Sequence, residues 1–166
     1  MSLTDSILSE LEREAVTTRR VLERVPEDQL SYKPHPKSMS LGTLALHIAK
    51  IPGAIAGLAS GDDLTSPPNF APPEATGVAQ ILEALDESLA QAKTLLSAMD
   101  DERALSIWSM AVNGQNIMSL PRIAVLRNIL LNHWYHHRGQ LTVYLRLLDV
   151  PLPSVYGPSA DESPFG

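Results

Sequence analysis

Between residues 74 and 99 the chain sets Val78, Ile81, Leu82, Leu85, Leu89, Ala92, Leu95, Leu96 and Met99 at steps of three and four, with polar residues between them. That period follows one face of an α-helix, whereas a half-buried strand would alternate every second residue. An amphipathic helix gains most of its stability from burying its stripe against other elements, so the rest of the chain must supply partners. Residues 4–24 carry a matching stripe of Ile7, Leu8, Leu11, Ala15, Thr18, Val21 and Leu22, and Pro26 ends it. A connector through Tyr32, Pro34 and Pro36 follows, and Ser38 or Ser40 offers an N-cap for a second helix starting near Leu41. Pro52 removes the donor for the Ile48 carbonyl, which predicts a kink or an early end one turn after His47, with Gly53 and Gly57 nearby. Residues 61–73 form a proline-rich loop without helical period. Asn113-Gly114 between short apolar runs predicts a small hairpin or irregular turn, and Ser119 then caps a fourth helix with Pro121 in its first turn, reaching about Leu148.

The expectation is a single all-α domain over residues 1–166, a four-helix bundle with long connections and a short hairpin or irregular segment before the last helix. Composition agrees, since 44% of the residues are hydrophobic but only 5% aromatic. Thirteen Lys and Arg against 19 Asp and Glu, without a basic cluster, argue against nucleic acid as a partner. The absence of cysteine excludes disulfides, thiolate ligands and a cysteine nucleophile, so a metal must be held by nitrogen or oxygen. The N-terminal residues lack the pattern of a secretory signal, and no apolar run approaches membrane-spanning length. A cytoplasmic protein without a membrane partner is expected.

The chemistry concentrates in "NHWYHHRGQL", residues 132–141, which hold three of the five histidines. At about 100° per residue, His133 and His137 lie roughly 40° apart on one helical face, where their nitrogens can converge on one ion. His136 sits about 100° from His137 and falls at the margin. Gln140 and Tyr144 share the His133–His137 face and could orient a ligand or contact a substrate, or could simply satisfy core polarity. A third imidazole, His47, lies on the otherwise apolar second helix. A lone buried histidine is most simply a hydrogen-bonded core residue, but an inward histidine facing an i,i+4 pair favours coordination. Three neutral ligands leave the charge of a divalent ion uncompensated and a position open to water or substrate, the pattern of a catalytic rather than a structural site. Zinc, nickel and manganese all accept such ligands. Trp134 stands where the H-E-x-x-H peptidase motif carries its glutamate base, so hydrolysis by that route is unsupported and no general base is assigned.

"MSLGTLALHIAKIPG" and "LLNHWYHHRGQLTVYLRLLDVPLPSVYGPSADE" together resemble the second-helix and last-helix signatures of the DinB (DinB/YfiT-like) family. The resemblance implies a divalent-metal site within a four-helix bundle, usually in a homodimer, with His47, His133 and His137 as the metal-binding triad. It also implies thiol-dependent chemistry in some members, among them S-transferases using low-molecular-weight thiols and an isomerase. The resulting expectation is a hydrolase or thiol S-transferase in which a divalent metal activates a water or an external thiol for attack on a small electrophile. The alternatives are a metal-containing small-ligand-binding or stress-response protein without turnover, and a dimeric structural module with a hydrogen-bonded histidine core.

Three expectations concern the surroundings. Arg138 points away from His137 and either anchors the acidic tail, for example at Asp161 or Glu162, or has a solvated or intrahelical role. Residues 150–166 could fold back as a lid, with Tyr156 as the anchor and, with His136, a further candidate for a substrate contact. Leu131 and Tyr135, opposite His133, suggest a surface for a second copy of the chain.

Overall fold

The computed structural model describes residues 2–65, 73–163 and 165. Its first three long helices are α1 (Leu3–Leu22), α2 (Leu41–Ser60) and α3 (Val78–Ser97), and a short α4 (Asp101–Leu105) follows. A two-stranded antiparallel sheet of β1 (Ile107–Val112) and β2 (Gln115–Pro121) leads into the last helix. That helix is composite: α5 (Arg122–Val125), a π-helical stretch Leu126–Asn132, and α6 (His133–Leu147). The four long helical units form a bundle around one continuous core that takes Ile7, Leu11 and Leu22 from α1, Leu44 and Ile48 from α2, Ile81 and Leu85 from α3, and Leu130, Trp134 and Leu141 from the last unit.

Each helix begins and ends for a local reason. Ser40, not Ser38, caps α2: its Oγ accepts from the Thr43 N–H at 3.1 Å. The third helix starts at Val78 rather than near residue 74: Gly77 is extended, and the Val78 N–H is taken by Glu27 Oε2 at 2.8 Å. Asp100 caps α4 by accepting from the Arg103 N–H at 2.7 Å. The Asn113-Gly114 turn is resolved as a two-residue hairpin connection, with φ of 51° and 77° placing both residues in the left-handed region.

Three expectations about the helices need correction. The second helix does not stop at Pro52 but runs on to Ser60. The Ile48 carbonyl that Pro52 frees is taken by the Trp134 indole N–H at 2.9 Å, and the neighbouring Gly53 N–H donates to Ser88 Oγ at 2.7 Å. With its free acceptor satisfied from another helix, the proline costs no helix end. Gly53 also permits the close approach of α2 to α3, since a Cβ there would stand 2.9 Å from the Ser88 carbonyl oxygen. Ser119 is not a helix cap; it lies in β2 opposite Ser109, and strand pairing holds the chain extended to Pro121. Finally, α2 is long and apolar enough to cross a membrane, with mean hydropathy 1.4 over its most apolar window, but 72% of that window is buried inside the bundle.

The pairing of Trp134 with Pro52 predicts a measurable coupling. Trp134→Phe strands the Ile48 carbonyl in the core and will cost about 1–3 kcal/mol of folding stability. In a Pro52→Ala background, alanine restores an N–H to that carbonyl, so the loss caused by Trp134→Phe will shrink by a large part. Equal losses in both backgrounds, measured by urea unfolding, would show that the carbonyl has no share in the effect of Trp134.

Candidate metal centre

The histidines reach one another from two helices. His47 comes from the middle of α2, one residue before the carbonyl latched by Trp134, and His133 opens α6 one residue before Trp134 itself. The same hydrogen bond therefore ties the two backbones that carry the facing imidazoles. Ring centroids stand 4.5 Å apart for His133 and His137, 4.7 Å for His47 and His137, and 5.4 Å for His47 and His133. One nitrogen from each ring lies within 4.8 Å of the others, so the three could hold a metal ion.

The protonation pattern suits lone pairs aimed inward. Gln140 Oε1 lies 2.7 Å from His137 Nδ1 and accepts its proton, which leaves His137 Nε2 as a bare acceptor. That Nε2 faces His133 Nε2 at 2.7 Å. Without an ion the pair shares one proton; nitrogens on a tetrahedral ion at about 2.0–2.1 Å stand roughly 3.3 Å apart, so a small separation of the rings admits one. His133 Nδ1 is buried with no hydrogen-bond partner, although the Ile129 carbonyl is near enough to favour its protonated ring. A buried imidazole left in this state is short of polar partners, and an ion on its opposite nitrogen would relieve that shortage. The donor set thus fits a nitrogen-preferring divalent ion.

Burial pushes His47 down to about 4, and the adjacent His137 and His133 push the same way. Burial likewise lowers His133 and His137, the latter against the raising effect of Gln140. A histidine with a depressed folded-state value binds its proton more readily unfolded, so the metal-free protein will lose stability as pH falls from about 6.5, the unfolded value, toward 4. Thermal melts of metal-free protein across that window, compared with His47→Ala, check this: the variant will show a shallower pH dependence, and equal slopes would contradict it.

Above the histidines opens a cavity of about 420 Å³ between α2, the hairpin and the last helix. Its walls include Met39, Leu58, Trp108, Met110, Met118 and Ile129. The hairpin's contribution was not foreseen in the sequence, although Trp108, Met110 and Met118 alternate along two strands and that period was a usable sign.

The remaining sequence-named residues lie elsewhere. The packed line of α6 is Trp134, Arg138, Leu141 and Leu145, about one residue around from the His133–His137 line, which faces the cavity instead. The π-helical stretch before His133 also breaks the 100° count for earlier residues. Gln140 is exposed yet touches His137. Tyr144 turns away, with its hydroxyl donating to the Met39 carbonyl at 3.3 Å and its ring edge-on to Tyr32. His136 is exposed, its ring 5.0 Å from that of His137. Tyr156 lies outside the cavity wall, with its hydroxyl against Glu14 at 2.9 Å and Arg138 at 2.5 Å.

Arg138 does not pair with Asp161 or Glu162 and is not solvated: it is 2% exposed, pairs with Glu14 of α1 at 2.7 Å and reaches the tail only through the Tyr156 hydroxyl. Asp161 and Glu162 pair with Arg146 and Arg20 instead. The tail does fold back, but against α1 and α6, and none of its described residues lines the cavity. Leu131 and Tyr135 do not form a free surface either. Leu131 is fully buried, and the half-buried Tyr135 donates to Glu10 of α1 at 2.9 Å, so both residues are engaged within the chain.

Fold and cluster together define a helical-bundle protein with a three-histidine site facing an apolar cavity. The DinB family model matches residues 1–164, and the chain belongs to that family. It is 29% identical over 167 residues to the uncharacterized protein YrdA of Bacillus subtilis (strain 168), covering 95% of this chain and 90% of YrdA. Among solved structures it is similar to a DinB-like protein from Bacillus cereus ATCC 10987, with TM-score 0.68, 25% identity and coverage of 92% of this chain and 97% of that one. It also shares its fold with the DinB-like protein YjoA of Bacillus subtilis, with TM-score 0.67, 20% identity and coverage of 90% and 96%.

Proposed function

We propose that the protein is a metal-dependent enzyme acting on a small electrophilic substrate, with His47, His133 and His137 as ligands of one divalent ion, zinc, nickel or manganese. The observation that carries the reading is the convergence of three imidazoles at one end of an apolar cavity. A bound divalent ion supplies Lewis-acid activation of a water or of a thiol. The protein's part is to hold and orient: Gln140 keeps the His137 proton on Nδ1, the Trp134–Ile48 bond keeps α2 against the last helix, and the hairpin supplies an apolar wall. Because the chain has no cysteine, a thiol reactant must come from outside.

The second reading is a binding protein without turnover. One observation favours it: among the described residues, the cavity wall has no carboxylate, lysine or tyrosine that could carry a proton, beyond the histidines themselves. Metal-loaded protein incubated with electrophilic acceptors, with and without low-molecular-weight thiols, separates the two. Turnover abolished by His137→Ala supports the enzyme; ligand binding without turnover supports the binder; turnover that survives His137→Ala contradicts the proposed centre.

A further inference from the structure

The cavity has polarity at one end only. Eight of its eleven lining residues are apolar, and the other three are the histidines. The polar atom of Trp108 is already committed, since its indole N–H donates to the Asp62 carbonyl at 3.1 Å and leaves the ring as an apolar wall. A bulge between Met110 and Ala111 leaves Met110 directly opposite Met118, so both thioethers stand on the same face of the hairpin as Trp108. Methionine is a deformable lining that adapts to apolar bodies of varied shape. Residues 66–72, outside the described set, have no Asp, Glu, Lys or Arg in their sequence. A carboxylate or ammonium enclosed against the apolar wall, away from the histidines, would meet no counter-charge, and burying an unpaired charge is strongly unfavourable.

We infer that the cavity selects a small molecule with an uncharged apolar body and a single polar head, the head at the histidines and the body against Trp108, Met110 and Met118. Only the placement of the head rests on the metal reading. The selection of the body stands on the cavity wall alone. A thiol reactant bearing several charges keeps its charged portion outside.

The test is a homologous series on the full chain. Linear alkyl hydroxamic acids from acetyl to hexanoyl, titrated calorimetrically into zinc-loaded protein, will tighten about fourfold per methylene, the factor expected for full apolar burial. Met118→Lys, with unchanged metal content and circular dichroism, will flatten that gradient and leave acetohydroxamic acid unaffected; Met118→Leu will retain it. A flat series in the wild type, or glutathione binding as tightly as the hexanoyl compound, overturns the inference. The same series of n-alkanols on metal-free protein separates the two readings. A gradient there without metal binding upholds the selection of the body while the metal centre fails, and stoichiometric metal with no gradient upholds the centre while this inference fails.

Discussion

Arg138→Met will lower folding stability by about 3–5 kcal/mol, roughly 6–20 °C in melting temperature, while leaving the metal content unchanged. The size follows from where the charges lie. Arg138 is 2% exposed and Glu14 only 16%, with 2.7 Å between them. The guanidinium also donates to Thr18 Oγ1 at 3.0 Å and to the Tyr156 hydroxyl, and sits over the Tyr135 and Tyr156 rings at 5.2 and 5.1 Å. Removing it leaves a half-dehydrated carboxylate without its counter-charge and the Thr18 hydroxyl without its donor, which costs more than the intact pair contributes. Arg138→Met combined with Glu14→Gln will therefore recover much of the loss, because no unpaired charge remains. A loss below about 1 kcal/mol for the single variant, the size expected of an exposed ion pair, would show that this cluster does not hold α6 and the tail to α1.

His137→Ala will weaken divalent-metal binding by more than 100-fold, and Gln140→Ala by about 10–100-fold. The ordering is the informative part. Gln140 contacts no ion in this account; it fixes the tautomer of His137 from 2.7 Å, so its loss lets the imidazole proton compete for Nε2. His137 supplies the donor itself. Stability of the metal-free protein will move by only about 1 kcal/mol in either variant, since both side chains are at the edge of the packed core. Equal metal affinity for wild type and Gln140→Ala would remove Gln140 from the site, and equal affinity for His137→Ala would remove the site.

What was legible in the chain depended on distance along it. The helical stripes, the Asn113-Gly114 hairpin and the His133–His137 pair are local patterns of three to five residues, and they survive folding because helix and turn geometry are local. His47 could be added because an imidazole on an apolar helix needs a partner. Most of the errors turned on a partner outside the local pattern. Pro52 keeps its helix because Trp134 lies within hydrogen-bond reach of Ile48. Ser119 is in a strand because Ser109 pairs with it. Leu131 is packed inside the chain, and Arg138 is buried because Glu14 arrives from α1. The reading of Trp134 changed most: in sequence it marked only a missing glutamate, and in the fold it ties together the two helices that carry the histidines.

The most direct measurement is elemental analysis of the full-length chain prepared without a histidine tag, as purified and after equilibration with zinc, nickel and manganese in turn, alongside the His47→Ala, His133→Ala and His137→Ala variants. The account predicts one divalent ion per wild-type chain in at least one of these conditions and a large loss in each variant. Wild-type protein that holds no stoichiometric metal in any of them, or variants that hold as much as the wild type, would contradict it.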